Sequence, residues 1–377
     1  MGKRTEFLFL SEPDTIECGV LDYRKNIANA EEVFKLLAKG DYLMGGSNGN
    51  SHGMPIVFPK ESPFPNMPIA GPDRRFVAMP AYLGGRFNVC GLKWYGSNAE
   101  NKKHGLPRSV LTVTLNDKDT GEPLCIMSAN LLSAGRTGAI PAVATKYLAR
   151  KNAEVLTLIG CGAIQTSCVE NIITEMPNLK KIVCNDYFPE VAQKFADRMK
   201  EQHGVEAVAA ASLEEAVRAG EVISVAASRL AAVYIEKEWV QPGTTILATG
   251  PMQCAESLWA DMDIVFDHIG LHHAYVEEAI ASGDKEGYYN GVIGGPIYRL
   301  IDAGKKPALD DSLAIGKIIL GEQEGRKNDD QIIAFIACGM AVFDVGLGYD
   351  LYQTAVEKGI GQKLLLWESP ADRKSVV

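Results

Sequence analysis

From Val155 onward, short apolar runs alternate with stretches of helical period. Runs beginning at Val155, Ile182, Val205, Val222, Thr245 and Ile264 are separated, in the earlier part, by helix-patterned segments over 163–175, 191–202 and 213–218. Apolar residues on consecutive positions suit a strand buried on both faces, and strands alternating with helices predict a parallel sheet in a doubly wound domain. The first 130 residues read differently. A helix is expected over 30–39, then a Pro- and Gly-rich stretch over 45–72, then β-branched runs at 75–80, 88–94 and 109–115, the last turning through 116–123 into 124–128 as a hairpin. Residues 139–150 carry helical spacing despite Pro141 and lead into the Val155 run. Near Asp329 the pattern changes again, to an apolar run over 332–336 and a long amphipathic helix over 340–358. The expectation is an α/β chain of two domains. A doubly wound nucleotide domain spans 139–329, and an α+β substrate domain is assembled from 1–138 and 330–377, with substrate in a cleft between the two.

The turn after the first run is the most informative segment. Ile159 is followed by Gly160-Cys161-Gly162-Ala163-Ile164-Gln165, and the second run, Lys181 to Asn185, ends at Asp186. Gly160 permits a tight turn, Gly162 lets the backbone approach a pyrophosphate, and the helix starting at Ala163 presents its positive end to that group. The third glycine of the full G-x-G-x-x-G pattern is missing, its place taken by Gln165. The context is stronger than the motif. Asp186 lies where a carboxylate accepts hydrogen bonds from the ribose hydroxyls of NAD and repels the 2′-phosphate of NADP. The nucleotide domain is therefore expected to be a Rossmann domain for NAD.

Composition removes several classes. At 377 residues, 46% apolar and 23% charged, the chain is an ordinary globular one with room for two domains. Its net charge of -9 argues against binding a phosphate backbone, so no nucleic-acid partner is expected. No apolar run approaches a signal segment or a membrane span, which leaves a cytoplasmic protein with no membrane partner as the expectation. The eight cysteines contain no C-x-x-C and read as buried and reduced. No metal is expected either, because the histidines offer no H-E-x-x-H pattern and the adjacent pair His272-His273 would point apart on a helix.

Two cations stand in apolar settings, where an unpaired charge is expensive. Lys93 follows Cys90-Gly91-Leu92 and precedes Trp94, and Arg136 follows Ser133-Ala134-Gly135 at the entry to the 139–150 helix. Such a pair would hold an α-carboxylate, Arg through a bidentate fork and Lys as a point charge. On composition alone, a solvated lysine and an arginine paired with a neighbouring acid are the commoner arrangement.

Residues 90–97, the 116–123 turn, Gly135-Arg136-Thr137-Gly138-Ala139, residues 143–150, Gly160-Cys161-Gly162-Ala163, and the late segments 339–344 and 358–361 occur in an order and spacing that resemble the ornithine cyclodeaminase and μ-crystallin superfamily. Met79-Pro80, Gly84-Gly85, Lys93-Trp94 and Gly160-Cys161-Gly162 look most like its branch of N-(2-amino-2-carboxyethyl)-glutamate dehydrogenases, which serve 2,3-diaminopropionate synthesis for siderophores. The resemblance implies an NAD-dependent enzyme of amino-acid metabolism and a homodimer built through the N-terminal sheet. It also implies that Lys93 and Arg136 bind the amino-acid carboxylate, with Arg75 lining the same pocket. Thr137, Ala163, Ile164, Asp186 and Thr249 would contact the dinucleotide beside Gly160 and Gly162.

The departures from that family bear on the reaction. Ornithine-cyclising members carry a glutamate two residues before the Met-Pro pair, where this chain has Val77. They also carry an aspartate in the loop after 247–250, where it has Met252 or Gln253, and the glutamate dehydrogenase branch has an aspartate at Gln253 too. None of these replacements takes a proton, which argues against cyclodeamination. Hydride transfer survives the loss, since that chemistry belongs to the cofactor and the protein mainly positions carbon over the nicotinamide. Lys93 would then polarise or protonate the substrate, and Arg108 would hold a second carboxylate or remain a solvated loop residue. The favoured function is an NAD-dependent imine reductase or N-substituted amino-acid dehydrogenase acting on a C–N bond. The alternatives are a lyase of the ornithine cyclodeaminase type that uses NAD catalytically, and a non-catalytic ligand-binding relative. The segment 283–316, with Tyr288, Tyr289 and Tyr298, yields no function from sequence.

Overall fold

Alternation decides the first sheet. Along Arg75–Leu83, Val77, Met79, Ala81 and Leu83 are buried while the residues between them are not, so every second side chain faces a core. The computed structural model describes residues 3–227 and 233–370. In it this segment joins Thr5–Leu10 (β1), Tyr42–Met44 (β2), Met54–Val57 (β3), Arg75–Leu83 (β4), Val89–Ser97 (β5), Ser109–Asn116 (β6) and Pro123–Ser128 (β7), with Gln362–Trp367 added from the far end of the chain. The order is Gln362–Trp367, β1, β7, β6, β5, β4, β2, with β3 also on β4. Every pair is antiparallel except β1 with β7. The helix Ala341–Lys358 packs on β4, β5 and β6.

The second sheet is buried on both sides, and its sequence shows why. Its strands are Val155–Ile159 (β8), Lys181–Asn185 (β9), Glu206–Ala209 (β10), Val222–Val225 (β11), Val233–Ile235 (β12), Thr245–Ala248 (β13), Met252–Cys254 (β14), Asp263–Phe266 (β15), Leu313–Ala314 (β16) and Ile333–Ile336 (β17). Apart from β12 and β14, which pair with each other, they form one parallel sheet in the order β10-β9-β8-β11-β13-β17-β15-β16. All residues of β11, β13 and β17 are buried, as unbroken apolar runs require. Strand order reverses between β8 and β11, and ligands of such sheets bind beyond the carboxyl ends of the strands at that switch point. The α/β class and its doubly wound Rossmann sheet are thus as expected.

The described residues group into two compact units. One holds the segments up to Asp22, Asp41–Ser133 and from Met340 onward; the other holds Tyr23–Gly40 and Ala134–Gly339. These limits depart from the sequence reading of 1–138 with 330–377 against 139–329. The helix Tyr23–Lys39 belongs with the nucleotide sheet, where it packs on the helices Ile315–Ile319 and Ala163–Ile172, and its Glu31 pairs with Lys146 at 2.5 Å. The run near 332–336 is β17, inserted between β13 and β15. The helix expected over 139–150 spans Asn130–Leu148, so Arg136 lies inside it and not at its entry.

Gly135 and Gly138 make the start of that helix read as a loop, yet Gly138 has a packing reason. A Cβ on it would lie 2.1 Å from the carbonyl oxygen of Ser167, in the helix Ala163–Ile172. None of the eight cysteines is in a disulfide; six are buried, while Cys90 and Cys338 are half-buried. Among the described residues no helix is long and apolar enough to cross a membrane. Because the obstacle at Gly138 is backbone, Gly138→Ala should force the two helices apart and lower stability by about 1–3 kcal/mol or more in urea unfolding. A variant as stable as the parent would show that the helices do not approach this closely.

Candidate active site

β8 ends in Gly160-Cys161-Gly162, and the two glycines answer different needs. Gly160 has φ +83°, and a Cβ on it would lie 2.6 Å from Ala227 Cα. Gly162 precedes the helix Ala163–Ile172 without a side-chain cap, and no neighbouring atom comes within 4 Å of where its Cβ would be. Gly162, Ala163 and Ile164 are exposed, so the first N–H groups of the helix open onto free space, as a pyrophosphate requires. Gln165, in place of the third glycine, turns inward. Fully buried, it donates from Nε2 to the Ser224 carbonyl at 3.3 Å and accepts from Ser224 Oγ at 3.2 Å, which fastens the helix to β11.

Asp186 follows β9 and faces the same turn. Its Oδ2 accepts the Cys161 N–H at 2.8 Å and its Oδ1 the Phe188 N–H at 3.0 Å. Each oxygen keeps a lone pair, so the carboxylate is oriented with capacity left for ribose hydroxyls. Thr137 is half-buried beside Gly138, which itself meets the helix Ala163–Ile172. Thr249 follows β13 and donates both its hydroxyl and its backbone N–H to the Val225 carbonyl, each at 3.0 Å, which fixes it at the end of that strand. The Cys168 thiol, 3.9 Å from that hydroxyl, is pushed up to about 12 by burial and stays protonated. Turn, helix end and acid together fit a dinucleotide, and they fit one without a 2′-phosphate.

Lys93 lies on the buried face of β5, opposite Met79 on β4 and Val113 on β6. It is 3% exposed, pairs with Asp344 Oδ1 at 3.1 Å and donates to Ser133 Oγ at 2.7 Å. Asp344 is itself fully buried on the helix Ala341–Lys358. The solvated-lysine alternative therefore fails. Asp344 falls in the 339–344 segment of the resemblance, which assigns it no role; its signal is an acid set among Ala341, Val342, Phe343 and Val345, as out of place there as Lys93 is on its strand.

Arg136 is 8% exposed. Gly339, three residues beyond Ile336 at the end of β17, has φ +75° and packs so near the guanidinium that a Cβ would sit 2.8 Å from Nη1. The arginine thus reaches the carboxyl edge of the nucleotide sheet.

Arg75 and Arg108 are brought together by an acid that the sequence did not single out. Arg75 pairs with Asp73 Oδ1, Arg108 Nε lies 3.3 Å from Oδ2, and Ser97 Oγ donates to Oδ2 at 2.5 Å. Arg75 is opposite Ser97, whereas Lys93 is opposite Met79. Four residues along a strand separate the two positions by about 13 Å, on the same face of the sheet. Val77 and Met252 are buried, and Gln253 points outward from β14, a short strand where a loop was expected.

A model of the ornithine cyclodeaminase/mu-crystallin family matches residues 23–359. The chain belongs to this family. The N-((2S)-2-amino-2-carboxyethyl)-L-glutamate dehydrogenase of Staphylococcus aureus is 31% identical over 298 residues, covering 78% of this chain and 82% of that one. The structure of Thermococcus litoralis Δ1-pyrroline-2-carboxylate reductase in complex with NADH and L-proline is similar with a TM-score of 0.74 at 26% identity, over 95% of this chain and 100% of that one. An archaeal alanine dehydrogenase dimer with bound NAD also gives 0.74 at 26% identity, over 96% and 100%.

In this family member the buried pair sets a test. Asp344→Asn leaves the Lys93 charge sealed without its counter-ion and should cost about 3–5 kcal/mol of stability. The double variant Lys93→Met/Asp344→Leu, with both charges gone, should recover most of that loss. Urea unfolding of the three proteins decides the point: a fully stable Asp344→Asn protein would mean that the pair is not sealed.

Proposed function

We propose that this protein is an NAD-dependent oxidoreductase acting on the C–N bond of an amino or imino acid. One observation carries the reading. The dinucleotide turn is whole, while both positions that hold acids in ornithine-cyclising members are without one, Val77 and Met252 being buried and Gln253 turned outward. The named activities of the similar proteins support it, since the reductase, the alanine dehydrogenase and the glutamate-derived dehydrogenase all act on amino or imino acids, two of them seen with NAD or NADH bound.

When bound, NADH supplies a hydride to the carbon of a C=N bond, and a proton goes to the nitrogen. Gly160, Gly162, Ala163 and Ile164 take the pyrophosphate, Asp186 the ribose, and Thr137 and Thr249 flank them. Asp186 is followed by exposed Tyr187 and Phe188 with no Arg or Lys to receive a phosphate, which favours NAD over NADP. Arg136 and Lys93 are each suited to bind a carboxylate, and Lys93, paired with Asp344, to polarise or protonate the substrate. Arg75 and Arg108, with one more positive charge than Asp73 cancels, are suited to a second acidic group on the substrate.

A second copy of the chain fits the outer face of the N-terminal sheet. Phe76 and Trp94 stack there with centroids 5.6 Å apart and remain 39% and 37% exposed, beside exposed Met54, Ile56 and Val110, on the face opposite Lys93. An apolar band of this kind marks an interface. Sedimentation should give a dimer that Trp94→Lys dissociates; a monomeric parent would remove the second copy from the proposal.

Purified protein should oxidise NADH in proportion to imino acid consumed, in a panel of cyclic imino acids and of 2-oxo acids offered with amines. With NAD and ornithine it should release no ammonia; stoichiometric proline and ammonia would overturn the proposal in favour of the lyase. Arg136→Ala and Lys93→Ala should each lower kcat/KM by roughly 30-fold to several thousandfold, about 2–5 kcal/mol, with NADH affinity unchanged. Asp186→Ser should relax the preference for NADH over NADPH, and tighter NADPH binding by the parent would refute the role of Asp186.

A further inference from the structure

The nucleotide unit holds a second cluster of buried polar groups, partly in the 283–316 segment that sequence left without a function. Asp267 follows β15, His272 lies in the helix Ile269–Ala281 and Tyr298 in the helix Gly295–Asp302; none is more than 1% exposed. Tyr298 Oη is 2.5 Å from His272 Nδ1, and His272 Nε2 is 2.9 Å from Asp267 Oδ1. Burial, with the neighbouring Cys338, Tyr275 and Asp267, pushes the Tyr298 phenol far above its usual range. It therefore keeps its proton and donates to Nδ1, which leaves Nε2–H to donate to Asp267. Asp267 also takes the His268 N–H at 2.8 Å on Oδ1 and the Cys338 N–H at 2.7 Å on Oδ2. His273, next to His272, points away to exposed Asp310 at 2.8 Å.

The last of the bonds to Asp267 gives the cluster a direction. Cys338 precedes Gly339, the residue whose left-handed backbone packs against Arg136 Nη1. We infer that Asp267, His272 and Tyr298 are positioning residues, which fix the Cys338–Gly339 backbone and through it the guanidinium of Arg136. The inference rests on the reading of Arg136 as a carboxylate-binding group. A packing role would be met by apolar residues at lower desolvation cost; what the polar chain adds is an oriented carboxylate that accepts the His268 N–H on one oxygen and the Cys338 N–H on the other. Oxygen, nitrogen and sulfur atoms of Asp267, His272 and Cys338 lie within 4.8 Å of one another, the spacing of a metal site. The direct Asp267–His272 bond, and a Cys338 thiol pushed well above its usual range chiefly by burial, favour a proton-filled network over a cation.

The test compares Tyr298→Phe, His272→Leu, His272→Gln and Arg136→Ala with the parent, in the full-length protein, using NADH and an imino acid that the parent reduces. Amide hydrogen exchange at Cys338 reads the backbone directly. Tyr298→Phe and His272→Leu should speed that exchange and raise KM for the imino acid about tenfold, with KM for NADH within about twofold of the parent. His272→Gln, whose Nε2 can still donate to Asp267, should bring both readouts back to within about threefold. Unchanged exchange at Cys338 in the isosteric Tyr298→Phe protein overturns the inference, as does faster exchange with no change in KM while Arg136→Ala raises it. If Arg136→Ala leaves KM unaltered, the carboxylate reading has failed and this inference falls with it. A stoichiometric metal in the parent that His272→Leu lacks would make the cluster a metal centre instead.

Discussion

A lysine and an aspartate, both sealed from water, join β5 to the helix Ala341–Lys358, and the chemistry assigned to the N-terminal sheet depends on that contact. Such a pair is a poor way to gain stability, because desolvating two charges offsets most of their attraction. Leucine and methionine would hold the same helix on the same strands. What the pair retains is an ammonium group at a fixed point, with Asp344 on one side and the Ser133 hydroxyl on another. A free lysine side chain of this length would sample many rotamers, and a binding group must be ordered before it can contribute. Asp344 takes on that ordering at the folding step.

In the nucleotide unit the corresponding constraint is backbone proximity. The helix that carries Arg136 meets the helix behind the glycine turn at Gly138, close enough that any side chain would collide with a carbonyl. The nucleotide helix is then tied from its other side by Gln165, whose amide bonds Ser224 on β11. A third glycine would let the helix lie closer to the sheet. Here a side chain long enough to reach the strand replaces direct contact, so the turn keeps its shape without the full motif.

How much of this was legible depended on whether the cause was local. The runs at Val155, Ile182, Val222 and Thr245 are strands because each is apolar on consecutive positions, a property carried by the run itself. β1 and Gln362–Trp367 went unread because each finds its antiparallel partner at the opposite end of the chain. The helix at Asn130 began earlier than its pattern showed, since glycines at 135 and 138 signal a loop unless the neighbouring helix is known. Ile333–Ile336 looked like part of the C-terminal segment by sequence distance, whereas pairing places it between β13 and β15. In the site, Lys93 and Arg136 were visible as charges in apolar surroundings. Their settings were not: Asp344 and Gly339 lie two hundred or more residues away in sequence. Asp73 was hidden for a different reason, as an acid in a polar loop reads as solvated until Arg75 and Arg108 are found on it.

The loss of two acids and the retention of two buried cations point the same way. A cyclising deaminase must recognise a second amine and move its proton, which calls for carboxylates in reach of the substrate side chain. At those positions this chain has a buried valine, a buried methionine and an outward glutamine. None of these would attract an ammonium group, and none would move a proton. The cations remain, and around Asp73 the balance is again positive, two guanidinium groups to one carboxylate. If the proposed role of Arg75 and Arg108 holds, a substrate side chain that is acidic or neutral meets this distribution better than a basic one, and the ion pairs with Asp73 keep both arginines oriented. Hydride transfer asks of the protein only that carbon and cofactor be held in register, so on the proposed reading the chain can lack both of those acids and still have a reaction to perform.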